Sequence, residues 1–296
     1  MSSRLAELLT SASVEVSSSG NQLQELAGRF AAGTNVSITF LPGDNYRHNL
    51  ETAAALRRAA FNPVPHVAAR EMPSREALND FLVRARREAD VRRVVLVAGD
   101  VAAAKGPFKS SRDVAASGLI EAHGITTVSV AGYPEGHPYL EGAHAFEALA
   151  AWRDWGASSG VRVDVVTQFC FEAAPILNFM GELQTRGIDL PVNVGLAGPA
   201  TLATLTKFGL RCGVGNSMRA LRGQIGRFGR LLTDNGPDDV VRGLLAAPQA
   251  ATAPISGFHL FPFGGLRKSA EWLRNFGLEM QVAATRMASQ NAAQNP

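Results

Sequence analysis

The sequence predicts an α/β fold, a (β/α)8 TIM barrel with an extra helix before the last strand. Three observations predict it: eight short apolar runs, helical patterns between them, and no GxGxxG fingerprint after the first run. The chain has 296 residues, and one barrel needs about 250. We expect one catalytic barrel over 1–285 and a flexible tail over 286–296.

The strand-like runs are Ser13–Val16, Val36–Phe40, Val64–Ala68, Arg93–Val97 and Thr126–Ala131, then Val163–Phe171, Pro191–Leu196 and Ile255–Phe261. Most are β-branched and nearly continuous in hydrophobicity, as strands buried on both faces should be. Helical patterns lie between them at Arg47–Ala60, Ser74–Ala89, Ala143–Trp155 and Ala173–Arg186, with Ser74 a plausible N-cap. Such alternation implies parallel strands and right-handed crossovers. Eight units favour closure over an open Rossmann-like sheet. GVGNS at Gly213–Ser217 lacks the Lys and spacing of a phosphate loop and reads as a turn into the extra helix, Asn216–Leu232. Pro237–Ala246 is a further helix before the last strand.

Hydrophobic residues make up 46% and charged residues 19%, the composition of a soluble chain with a large core. The net charge is only +3, with basic residues recurring at Arg219, Arg222, Arg227 and Arg230 along one predicted helix. Without interleaved aromatics this stripe reads as a solvated face or an attractor of anionic substrate, not a nucleic-acid site. The two cysteines, Cys170 and Cys212, allow no disulfide framework and no metal-ligand spacing. With no long apolar stretch near the N-terminus we expect neither a membrane partner nor a signal peptide, and a cytoplasmic location.

Chemistry on this fold gathers at the carboxyl ends of the strands. Glu15 stands between Val14 and Val16 in the first run. Burial of a carboxyl group favours its protonated form, which a general acid needs. Asp100 follows VVLVAG at the end of the fourth run, behind small residues that let a flat ligand approach the backbone. Gln168 lies in VVTQFCF, where an amide must find partners and a ligand is one source. His66 sits between Pro65 and Val67, as readily a packed residue as a ligand contact. The loop Tyr133–Pro138 puts an aromatic, a carboxylate and an imidazole on one turn stiffened by two prolines. Neither zinc spacing nor a nucleophile elbow is visible.

VEV at Val14–Val16, VAGD at Val97–Asp100, GYPEGHP at Gly132–Pro138 and TQFCFE at Thr167–Glu172 occur in order at strand ends, with PHVAAR at Pro65–Arg70 and GFHLFPF at Gly257–Phe263. In this ordered set the chain resembles the methylenetetrahydrofolate reductase family. The resemblance implies interconversion of 5,10-methylenetetrahydrofolate and 5-methyltetrahydrofolate, with FAD at the barrel mouth and NADH or NADPH as reductant. It assigns Glu15 as the general acid to N10, Asp100 as the charge near pterin and flavin, and Gln168 as the amide on the folate. It places Thr39, His66, Ala98, Gly99, Asp100, Tyr133 and His137 around FAD.

The departures are as informative. VSSSG follows the acid where the family has aromatics and prolines, and Ala98 replaces a base. The helix after the GYPEGHP loop reads HAFEALAAWRDW in place of polar and basic residues, with Arg153 the substitute for a diphosphate contact. Leu202 stands where a substrate-stacking aromatic is expected, and Arg267 is the nearest candidate for the folate tail. Two alternatives follow: a flavin-independent reductase using NAD(P)H directly, and a folate-binding methyltransferase. The direction of flux and a homo-oligomeric state stay open.

Overall fold

The computed structural model describes residues 7–18, 22–41, 43–137, 142–211, 214, 236–247 and 255–279. Eight parallel strands close into a barrel in chain order: β1 Ser13–Val16, β2 Asn35–Ile38, β3 Asn62–Ala68, β4 Arg93–Val97, β5 Thr127–Gly132, β6 Arg162–Thr167, β7 Val192–Ala197 and β8 Ile255–Phe261. β1 is bonded to both β2 and β8, so the ladder has no free edge. The predicted barrel therefore forms, with two corrections to its strands.

β2 ends at Ile38, short of Phe40. The Thr39 carbonyl is taken by Asn49 Nδ2 at 3.1 Å, which turns the chain toward the next helix. β6 ends at Thr167, short of Phe171. Gln168 N still donates to Gly132 O at 2.8 Å, but Phe169 and Phe171 then turn into an aromatic cluster at the mouth. That apolar run is hydrophobic because it packs against other loops, and not because it is sheet.

Alternation along each strand separates jacket from lumen. Val14, Val16, Val36, Ile38, Val94 and Leu96 are buried against the surrounding helices. The helix Arg75–Ala89 answers with Leu78, Phe81, Leu82, Ala85 and Ala89, one stripe at helical spacing. Each fully buried Leu or Phe of this layer contributes about 1.5–3 kcal/mol. Ser74 caps this helix by accepting from Ala77 N at 3.1 Å, as its sequence indicates. Ser110 and Asp113 form a full capping box on Ser111–Ala116. Asp238–Ala246 is helical with Pro237 as its N-cap residue, whereas the predicted helix Asn216–Leu232, with its arginines, lies outside the described residues.

The lumen is unusual for this fold, whose barrel interior is ordinarily filled by branched apolar layers. Here Ser37, Thr127, Ser129, Asp164 and His259 are all buried. Arg93 on β4 reaches Asp164 on β6 at 2.8 Å, passing over β5, a contact possible only across the lumen. No helix among the described residues is long and apolar enough to cross a membrane.

Candidate active site

Glu15 points into the lumen near its C-terminal end. Its register partner on β2 is Ser37, which pairs in turn with Val64, and all three face inward. Glu15 Oε2 lies 3.8 Å from Nε2 of His66 on β3 and 3.8 Å from Nε2 of His259 on β8. The Glu15 side chain keeps 20% of its surface exposed, while His259 keeps 3%, so the carboxyl group is open to a ligand and the imidazole is not. Ser13 Oγ and His259 Nδ1 are 2.8 Å apart, which fixes the ring. Burial holds His66 below the usual histidine pKa, partly offset by the Glu15 carboxylate, and His259 lowers it further. His66 thus presents a neutral ring at neutral pH.

Asp100 and its neighbours are set by the end of β4. Gly99 has φ +94°, a conformation side chains adopt rarely, and a Cβ there would lie 3.3 Å from Ala68 Cβ. Ala98 O accepts from Arg70 N at 2.9 Å, tying this loop to the end of β3. Asp100 is exposed, and its charge raises the pKa of His137, which burial lowers more strongly. The rings of Tyr133 and His137 lie 4.5 Å apart. Glu135 on the same turn hydrogen-bonds Cys170, joining the loops after β5 and β6. Gln168, between them, accepts at its side-chain Oε1 from Phe169 N at 3.3 Å. Thr39 is half-buried at the end of β2, its hydroxyl on Val16 O at 3.3 Å.

Beyond Gln168 stands an aromatic wall. Phe169 is fully buried at its centre, edge-on to Phe171, Phe261 and Phe263, and Phe208 stacks on Phe263 at 4.2 Å. Phe261 also meets the His259 ring at 4.7 Å, so the wall reaches the acid group. Gly195 makes room: a Cβ there would come within 2.8 Å of the Phe261 ring. Leu202 begins the helix after β7 and is half-buried. Arg267 lies just past the β8 loop, exposed, with a 3.1 Å pair to Glu271.

The structure thus brings Glu15, Thr39, His66, Ala98, Gly99, Asp100, Tyr133, His137, Gln168, Leu202 and Arg267 to the C-terminal end. Arg153 is elsewhere. It donates to Gly187 O at 2.6 Å and pairs with Asp154 at 2.8 Å. It lines a cavity of about 940 Å³ at the N-terminal face, with Asn35, Arg93, Thr127, Asp164 and Asn193. The helix Gly142–Ser159 runs antiparallel to the strands, so a residue in its second half is carried away from the mouth. His259 and the phenylalanine wall escape a reading of the sequence. His259 had a signal in its parity with Ser13 across β1 and β8, and four of the wall's rings lie in TQFCFE and GFHLFPF, but their meeting with Phe208 had none. Among the described residues no cluster could hold a metal ion.

Fold and site together define a barrel scaffold with acid, imidazole, carboxylate and amide groups at its C-terminal mouth. The model of the methylenetetrahydrofolate reductase family matches residues 16–214, and the chain belongs to that family. The matched span holds Asp100, Tyr133, His137 and Gln168 and begins one residue after Glu15. The chain is 28% identical over 195 residues to a 5,10-methylenetetrahydrofolate reductase of Pectobacterium carotovorum subsp. carotovorum, covering 64% of this chain and 61% of that protein. It therefore spans less than two thirds of that relative's length. A solved structure of an uncharacterized protein from Clostridium thermocellum, which binds two copies of 5-methyl-5,6,7,8-tetrahydrofolic acid, superposes with a TM-score of 0.58 at 10% identity. That superposition covers 93% of this chain and 98% of the other, and the likeness is one of fold alone.

Proposed function

We propose that this chain interconverts 5,10-methylenetetrahydrofolate and 5-methyltetrahydrofolate by hydride transfer, with NAD(P)H as the redox partner. The observation that carries the reading is Glu15, a partly open carboxyl group between two imidazoles at 3.8 Å, at the mouth that also holds Asp100 and Gln168. Glu15 delivers a proton to N10, which opens the five-membered ring to the N5 iminium. Asp100 supplies negative charge where that cation develops. Gln168 orients the pterin through its amide, and the aromatic wall keeps water from the cation.

The resemblance also brings FAD, and the residues fit only one half of it. A flat ring system finds the Tyr133–His137 pair and a neutral His66. The diphosphate finds no comparable cradle on the helix Gly142–Ser159, whose single basic residue is turned to the far face.

The test is to supply the purified chain with 5,10-methylenetetrahydrofolate and NADH or NADPH. Reduced nicotinamide should disappear mole for mole with the appearance of 5-methyltetrahydrofolate. Folate binding without any nicotinamide turnover, in either direction, would sink this reading.

A further inference from the structure

We propose that the enzyme works without a resident flavin, passing hydride directly between NAD(P)H and the folate one-carbon unit. This rests on the folate reaction proposed above and concerns who carries the hydride. It comes from charge placement around the mouth. A cofactor that survives purification needs a Kd at or below about 1 μM, roughly 8 kcal/mol of binding. For a diphosphate much of that comes from charge-assisted hydrogen bonds to basic side chains or helix N-termini.

On the helix Gly142–Ser159 and around the loop after β4 the described basic side chains are few, and they are engaged or solvent-exposed. The helix Gly142–Ser159 carries Glu147 and Asp154 against one Arg153, so its balance is negative. Arg153 is held by Gly187 O and Asp154 at the N-terminal face. Ala98 offers no charge ahead of Gly99 and Asp100. Arg70, just after β3, donates from Nη2 to Ala102 O at 2.5 Å, and Lys105 Nζ on the loop after β4 lies 2.5 Å from Glu71, whose side chain is 3% exposed. Lys109 is exposed at the loop's far end, and a solvated pair of that kind contributes only about 0–1 kcal/mol. The N-terminus of Ser111–Ala116 is occupied by its own capping carboxylate, Asp113.

NAD(P)H carries a diphosphate too, but a co-substrate leaves in every cycle and works with KM values up to about 1 mM. The Tyr133–His137 ring pair suits a dihydronicotinamide as well as a flavin. In the reductive direction the C4–H bond of the dihydronicotinamide breaks with its electron pair, and that pair forms the third C–H bond of the methyl group. NAD(P)H is oxidised to NAD(P)+, the N5 iminium is reduced, and the proton taken up at N10 comes from Glu15 and is replaced from solvent.

The experiment uses the full chain as it comes from cells. Flavin released on denaturation is counted, initial rates are measured with both substrates varied, and [4-2H]NAD(P)H of each face is supplied. We expect below about 0.1 flavin per chain, intersecting rate lines, no rise in rate on adding FAD, and deuterium from one face recovered whole in the methyl group, since no exchangeable flavin N5–H intervenes. About one flavin per chain, parallel lines, a roughly tenfold activation by FAD, or deuterium lost to water would each overturn the proposal while leaving the folate reaction standing. Absence of any hydride exchange with folate still bound would instead remove the reading beneath it.

Discussion

The two ends of the barrel lumen are both polar, yet they are polar in different ways. At the N-terminal end Arg93 Nη1 donates to Asp164 Oδ2 at 2.8 Å, with Asp164 Oδ1 buried and without a partner among the described residues, beside a cavity of about 940 Å³. At the C-terminal end Glu15 stands 3.8 Å from each of two imidazoles, just beyond hydrogen-bond reach, and Asp100 is exposed. This cavity therefore lies away from the groups suited to proton and hydride chemistry. Cavity and reactivity part company here, and the chemistry of the groups at the strand ends is the better guide. His259 borders both regions, lining the cavity with one edge and facing Glu15 with the other.

This contrast can be broken by substitution. The largest effect should come from Glu15→Gln, which removes the transferable proton and keeps the shape. Steady-state turnover with folate should fall by about 10³, within the range of general acid catalysis, with the thermal midpoint nearly unchanged. If turnover falls less than about tenfold, another group supplies the proton.

Asp164→Ala should act the other way round. It leaves the Arg93 guanidinium, 31% exposed, without its partner. Urea titration should show a loss of roughly 2 kcal/mol, discounted from a fully buried pair for that exposure, with kcat within about twofold of the parent. A catalytic loss larger than the stability loss would make the N-terminal end part of the site.

A smaller effect distinguishes the mouth by pH. Burial lowers the His66 pKa in the folded chain, while the unfolded chain titrates near 6.5. The unfolded state then takes up the proton first, so stability is complete above about pH 6.5 and declines as pH falls below it. Melting between pH 7.5 and 5.5 should show this decline, and His66→Asn should flatten it. The smallest effect is expected of Arg153→Ala: turnover and nucleotide KM within about twofold, because the side chain serves Gly187 O at the far face. A tenfold rise in nucleotide KM would return Arg153 to the mouth.

Most of the barrel could be read from the chain because its strands are short β-branched runs, and burial on both faces writes that pattern directly. Where the pattern misled, as at Phe169 and Phe171, apolar residues were packing loop to loop, which periodicity cannot tell from sheet. The placement of Glu15, Asp100 and Gln168 toward the strand ends was legible because strand ends are local features. The helix after the GYPEGHP loop was half legible. Its lack of basic residues is plain in the sequence, but which end Arg153 reaches depends on an 18-residue helix packed against β6. His259 could have been found by asking which strands border Glu15. The phenylalanine wall joins the loop after β6, the helix after β7 and the end of β8, contacts that only the closed barrel creates.

Burial and the Glu135 carboxylate together push the Cys170 thiol far above the ordinary cysteine range. Its sulfur also rests 4.0 Å from Gln168 O, beside the amide assigned to the folate. An alkylating reagent attacks the thiolate, so this sulfur should stay inert while the two loops are closed. Its labelling rate would then be a clock for how often the barrel mouth opens, slowed by whatever ligand holds those loops together.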